Sequence, residues 1–246
     1  MSAPQHVVVT GATRGIGRAI VDHLLARDQP VIGIARRDDP GFPAPLVTAD
    51  LADADATLHA LDGIASRYAV SGLVNNAGVN RMQALGAIDH EAFDRIVGLN
   101  CRATIDCTQA LLPSIRAARD PMGKACGRIV NIASRSLLGR FEGSVYAAAK
   151  AAMVGLTRSW ALELAGDGVT VNCVAPGPVA TEMFEQNNPP GDPRRDRMLA
   201  AVPMRRMGEP AEIAAAVDYF LSQAAAYTTG QTLFVCGGSS ISQIHL

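Results

Sequence analysis

The 246-residue chain has no excess of either charge: 22 Lys and Arg stand against 23 Asp and Glu. No global field therefore draws it to nucleic acid or to an anionic membrane surface. Long apolar runs are also missing, because Lys, Arg or Asp interrupts each one well before the roughly 18 residues that a membrane span requires. The stretch before Val7 has neither a basic region nor an apolar segment ahead of a small-residue cleavage site, so nothing in it predicts export. Cys101, Cys107, Cys126, Cys173 and Cys236 form no C-x-x-C pair and stand near no His cluster. They read as buried thiols of a cytoplasmic protein, with neither disulfide nor metal site expected. No internal repeat and no disordered linker is visible.

What is present is apolar content of 48%, enough for one large core and a single domain over residues 1–246. Short β-rich runs at 6–10, 30–35, 46–49, 73–75, 128–133, 169–174 and 232–235 alternate with helical stretches. Parallel strands need crossovers of helix length, so this rhythm predicts an α/β fold. The expected architecture is a doubly wound Rossmann-type domain, with a seven-stranded parallel sheet and helices on both faces. One segment breaks the rhythm. Residues 176–210 carry seven prolines and the basic group Arg194, Arg195 and Arg197. A long irregular excursion after the sixth strand lies where a doubly wound sheet binds ligands, so 177–209 is expected to be a substrate-binding loop or lid.

The first strand runs into Thr10-Gly11-Ala12-Thr13-Arg14-Gly15-Ile16-Gly17 and then an amphipathic helix. Glycines let the backbone turn tightly and approach a pyrophosphate, and the helix start offers free N–H donors at a positive dipole end. The Gly-x-x-x-Gly-x-Gly pattern has a longer first gap than the common dinucleotide fingerprint Gly-x-Gly-x-x-Gly and is one residue longer overall. No Gly-Lys-Ser/Thr accompanies it, which argues against a triphosphate loop. The second strand ends at Ala35, where an NAD site would place an acid for the ribose hydroxyls, and Arg36 follows. Arg36, with Arg14 from the glycine loop, suits a 2′-phosphate, so NADP is the expected cofactor. NAD is the alternative if Asp38 or Asp39 serves the ribose.

Tyr146 and Lys150 are four residues apart on a stretch predicted as a helix to about residue 165, so both project from one face. An ammonium beside a phenol favours the phenolate and suits acid–base work. Taken with Ser134 at the end of the fifth strand, Asn75-Asn76-Ala77-Gly78 at the end of the fourth and the loop 10–17, the pair resembles the short-chain dehydrogenase/reductase family. Asp50, Asn100 in Gly-Leu-Asn-Cys, Asn172 to Gly177 in Asn-Cys-Val-Ala-Pro-Gly, and Gly230 in Gly-Gln-Thr-Leu-Phe-Val extend the resemblance over essentially the whole chain.

The resemblance implies an oxidoreductase that moves a hydride between a nicotinamide cofactor and a carbonyl or alcohol. Tyr146 would exchange the proton and Ser134 would bind the reacting oxygen. Lys150 would tune Tyr146 and hold the nicotinamide ribose, and Asn100 would hold a water in the proton relay. Gly11, Thr13, Arg14, Gly15, Ile16, Gly17 and Arg36 would line the phosphate end. Asp50, Leu51, Asn76, Ala77 and Gly78 would border the adenosine and its ribose, and Pro176, Gly177, Val179 and Thr181 the carboxamide. Family members pair through two long helices, here 93–119 and 145–165, which implies a homodimer or homotetramer.

The chain departs from the family pattern at Val235-Cys236-Gly237-Gly238, where Cys236 replaces an acid. Relatives that reduce 3-oxoacyl groups on a carrier protein or CoA give an alternative activity. Arg128 offers one docking base, but Ala165-Gly166-Asp167-Gly168 has none. Arg81, Arg135 and Arg140 are candidates for an anionic substrate group or for solvated surface charge. A cofactor-binding regulator without turnover is the reading from a different class, and the intact Ser134, Tyr146 and Lys150 argue against it.

Overall fold

The computed structural model describes residues 4–241. Seven strands, β1 (Gln5–Thr10), β2 (Val31–Ala35), β3 (Leu46–Thr48), β4 (Ala69–Asn75), β5 (Arg128–Ile132), β6 (Thr170–Pro176) and β7 (Thr232–Val235), form one sheet in the order β3-β2-β1-β4-β5-β6-β7. Every pairing is parallel. The expected α/β fold is therefore observed. β4 starts earlier than its apolar run predicts, because Ser71 and Gly72 dilute the pattern. A Cβ on Gly72 would lie 3.0 Å from Val7, so glycine there lets β1 pack closely.

Side chains on β1 divide between two cores, as the two-residue period of a strand requires. Val7 and Val9 join α1 (Gly15–Leu25) and α8 (Pro210–Leu221) through Ile20, Val21, Leu24, Ile213 and Val217. Val8 faces the other side, with Leu61 and Ile64 of α2 (Ala54–Ala65) and Leu111 and Ile115 of α4 (Ala103–Ala117). Caps set the helix starts: Asp53 accepts from the Ala56 N–H, and Glu209 and Glu212 form a reciprocal capping box around Pro210.

Two elements differ from expectation. The helix expected over 93–119 is α3 (His90–Val97) and α4 joined by a π-helical turn, Gly98–Arg102. The excursion at 177–209 is less irregular than its prolines imply, since it contains α6 (Glu182–Asn187) and α7 (Pro193–Ala200). Pro193 starts α7 rather than breaking it, and Arg195 binds Glu185 and the Asn188 carbonyl to tie the two helices together. Among the described residues, no helix is long and apolar enough to cross a membrane.

The turn from β1 into α1 depends on Gly17. A Cβ there would sit 2.1 Å from the Gly11 carbonyl oxygen and 2.6 Å from the Asn76 side-chain nitrogen. Gly17→Ala is expected to lower unfolding stability by about 1–3 kcal/mol, the scale of overpacking in a rigid site. Gly63→Ala in α2, whose Cβ meets only the Arg67 guanidinium at 3.0 Å, is expected to raise it by about 0.5–1 kcal/mol. Urea unfolding of both variants checks the contrast, and equal losses would contradict it.

Candidate active site

A cavity of about 850 Å³ lies beyond the carboxyl ends of β1, β2, β4, β5 and β6. Gly11, Thr13, Arg14, Gly15, Ile16 and Gly17 line it below β1, and Arg36 and Arg37 below β2. Asp50, Leu51, Asn76, Ala77 and Gly78 form another wall, and Pro176, Gly177, Val179 and Thr181 face them from the end of β6. Ser134, Tyr146 and Lys150 open onto the same space. Asn100, buried behind Gly78, does not.

The cradle is built from backbone and held by one hydroxyl. Thr10 Oγ1 donates to the Val74 carbonyl and accepts from the Asn76 and Ala77 N–H groups at 2.9 Å. Asn76 returns the link, its Nδ2 donating to the Thr10 carbonyl at 2.8 Å and to that of Gly11. At the start of α1 no side chain caps the N–H groups and no acid stands in the first turn. This uncompensated positive end, reached across glycine, fits a pyrophosphate. Arg14 extends over the cleft to Glu182 at 3.2 Å. Asp38 and Asp39 do not line the cavity, and Asp39 faces Arg18 instead.

Tyr146 and Lys150 lie one turn apart on α5 (Ser144–Leu164), and both are buried. Burial pushes the Tyr146 phenol above its ordinary value. A hydrogen bond from Ser134 and the nearby Arg140 guanidinium pull it back in part. Arg140 is thus a second cation near the phenol besides Lys150. Lys150 turns its Nζ to the Ile132 carbonyl at 2.8 Å and lies 5.8 Å from the Tyr146 ring centre. Burial lowers its own pKa to about 8.

Asn100 occupies the π turn. Its Nδ2 donates to the Ile96 carbonyl and to that of Val79, each at 2.9 Å, so the side chain repairs the helix irregularity it sits in. Its Oδ1 is buried and accepts nothing from the described residues. That oxygen and Lys150 Nζ lie 2.5 and 3.3 Å from where a Cβ on Gly78 would be. Any larger residue at 78 would therefore fill the space in which the two polar groups meet.

Of the other candidates, Arg135 and Arg140 line the cavity, whereas Arg81 turns away to Asp89 at 3.5 Å. Arg128 is buried at the opposite end of β5, where it donates to the Gly127 carbonyl and offers no exposed charge for docking. Cys236 lies close to Gly177 and its thiol meets the Ser240 hydroxyl at 3.2 Å. All five cysteines are free. A buried polar chain escaped the sequence reading: Asn75 donates to Thr108 and Asn131, and Asn131 donates to Thr157, linking β4 and β5 to α4 and α5. Alternating polar residues inside strands predicted as apolar were its only signal.

A family model described as enoyl-(acyl carrier protein) reductase matches residues 11–240. The chain belongs to the short-chain dehydrogenase/reductase family. It is 38% identical over 243 residues to 3-oxoacyl-(acyl-carrier-protein) reductase FabG of Vibrio harveyi, covering 94% of this chain and 95% of that one. Among solved structures, aldohexose dehydrogenase of Thermoplasma acidophilum superposes with a TM-score of 0.87 at 30% identity, over 97% of this chain and 95% of that one. A blue fluorescent protein from a metagenomic library, solved in complex with NADPH, gives a TM-score of 0.83 at 31% identity, over 96% and 97% of the two chains.

Lys150 provides a stability test of this short-chain dehydrogenase/reductase site. Its folded-state pKa of about 8 lies below the ordinary 10.5, so the unfolded chain binds more protons between those values and stability rises with pH there. Below pH 8 the buried ammonium imposes its full penalty. Lys150→Met is therefore expected to melt at a higher temperature than the wild type at pH 7, with the gap closing as pH rises from about 8 to 10.5. Calorimetry across that range checks it, and a variant that melts lower at pH 7 would contradict the assigned cost.

Proposed function

We propose that this member of the short-chain dehydrogenase/reductase family is an NADP(H)-dependent oxidoreductase interconverting a ketone or aldehyde and its alcohol. Residues 1–246 form its one NAD(P)-binding catalytic domain. The observation that carries this reading is the buried Tyr146 phenol, opening with Ser134 and Lys150 onto the cavity that also holds the glycine cradle. Bound along that cavity, the cofactor would supply or accept the hydride.

Tyr146 gives its proton to the carbonyl oxygen during reduction and takes it back during oxidation. Burial disfavours the phenolate, so the free protein presents the proton that a carbonyl oxygen would take. Ser134 orients the reacting oxygen. Lys150 binds the ribose and feeds the proton path, and Asn100 offers its unpartnered Oδ1 as the acceptor for a relay water beside Lys150. Arg36 takes the 2′-phosphate, supported by its place in the cavity and by the absence of Asp38 and Asp39 from that lining. Arg14 joins it by exchanging its exposed pair with Glu182.

Residues 177–209 act as the substrate lid, supported by Thr181, Met183, Phe184, Asn187 and Met198 facing the cavity. Reduction of a 3-oxoacyl group on a carrier or CoA is the second reading, favoured by the identity to the Vibrio harveyi reductase. The buried Arg128 gives it no docking charge. Pairing through α4 and α5 into a homodimer or homotetramer is supported by Leu162 of α5, which is 84% exposed in the single chain. The free cysteines suit a cytoplasmic setting.

Absorbance of NADPH and NADH against a panel of carbonyls and alcohols tests the reading. Tyr146→Phe is expected to cut turnover about 100- to 10,000-fold, the range of general acid–base catalysis. Arg36→Ala is expected to weaken NADPH more than NADH by about tenfold or more, the scale of a charge-assisted hydrogen bond. A Tyr146→Phe enzyme as fast as wild type would overturn the proton-transfer assignment.

A further inference from the structure

Arg135 and Arg140 follow Ser134 on the short 3-10 helix Arg135–Leu138 and the loop after it, and both guanidiniums line the cavity on the Tyr146 side. Neither has a carboxylate within ion-pair distance among the described residues, although their neighbours do. Arg194 pairs with Asp192 and Glu142, Arg195 with Glu185, and Arg14 with Glu182. The cavity is lined by only two acids among the described residues, Glu182 and Asp50. The first is already paired, and the second follows β3 at the sheet edge, four strands from β5.

Arg140 is half-buried, and its one hydrogen-bond acceptor among the described residues is the Met82 sulfur at 3.3 Å, a weak partner for a guanidinium. Burial and the like charge of Arg135 both lower its pKa, whereas proximity to Tyr146 raises it. Two cations that repel each other and lack a counter-ion carry an electrostatic cost that an entering anion would relieve. The loop holds Arg140 in place. Gly139 and Glu142 both take positive φ, at 110° and 53°, and the Glu142 carbonyl accepts from the Gln83 N–H at 2.7 Å. The Arg140 stem lies against Gly143, so that a Cβ there would meet its Cδ at 2.9 Å. Left-handed backbone at a non-glycine residue is costly and is retained where surrounding contacts fix it.

We propose that Arg140, assisted by Arg135, is an oxyanion subsite beside Tyr146, so that the substrate is an oxo or hydroxy compound bearing a carboxylate or phosphate near the reacting carbon. The proposal rests on the oxidoreductase reading above and names its substrate class. With the oxyanion on the guanidinium fork, the carbonyl is turned to Ser134 and Tyr146. Arg140 thereby selects substrate, while Tyr146 performs the proton transfer.

The test compares anionic and neutral partners of one skeleton: acetoacetate with methyl acetoacetate, and dihydroxyacetone phosphate with dihydroxyacetone. Wild-type kcat/KM is expected to favour the anionic member by about 10- to 100-fold in at least one pair, the scale of a charge-assisted bond, and the responding pair identifies carboxylate or phosphate. Arg140→Gln is expected to bring that ratio near one, and Arg140→Lys to leave an intermediate value because it keeps charge but loses the fork. The ratio within a pair cancels any effect of Arg140 on the Tyr146 phenol. Calorimetric binding of malonate, with and without NADP, supplies a readout independent of turnover. Its affinity is expected to fall about tenfold in Arg140→Gln. Equal kcat/KM within both pairs, a ratio that survives Arg140→Gln, or malonate affinity unchanged by that substitution would overturn the subsite. Failure of all four compounds to turn over, with malonate binding still dependent on Arg140, would count against the oxidoreductase reading and leave the subsite standing.

Discussion

The Thr10 hydroxyl joins the ends of two neighbouring strands, and the cavity takes its shape from that junction. One donor bond to Val74 and two acceptor bonds from Asn76 and Ala77 fix the exit of β4 against the exit of β1. Asn76 then grips the first glycine turn, and Gly17 packs its bare Cα beneath the Gly11 carbonyl. Two residues on, Gly78 presses on Asn100 and Lys150. The glycine cradle and the buried Asn100 and Lys150 side chains thus share one hydrogen-bonded floor. Buried bonds of this kind contribute modestly when made and cost more when one partner is lost.

Burial also sets the electrostatic character of the site. It raises the Tyr146 phenol and lowers the Lys150 ammonium, so each group is pushed toward its neutral form. The Arg140 guanidinium also pulls on the phenol, and it has no carboxylate within ion-pair distance among the described residues. An anionic ligand on Arg140 would offset that pull and hold Tyr146 in the protonated form from which it donates.

Strand rhythm and the glycine spacing were legible because they are local: a period of two, a period near 3.6, and glycine where backbone must approach backbone. Tyr146, Lys150 and Ser134 were legible as a set in a familiar order. Arg140 was less legible: the sequence interval of four pointed to Lys150, which lies 5.8 Å from the Tyr146 ring centre, while a left-handed loop brings Arg140 near the phenol as well. The π turn at Asn100 contains no proline, and the Asn100 side chain itself repairs it by its bond to Ile96. Prolines at 176–210 signalled irregularity, yet Pro193 serves as a helix start and an Arg195–Glu185 pair orders the segment. In each case a tertiary contact decided what local composition left open.

The central claim is that Tyr146 is a buried, neutral phenol in the free protein, poised to donate its proton beside Ser134 and Arg140. The most direct measurement is the titration of Tyr146 by NMR with 13Cζ-labelled tyrosine, its resonance assigned by its loss in Tyr146→Phe. The account predicts ionisation above the ordinary value of about 10 in the cofactor-free protein. A Tyr146 signal that titrates at or below that value without cofactor would contradict it.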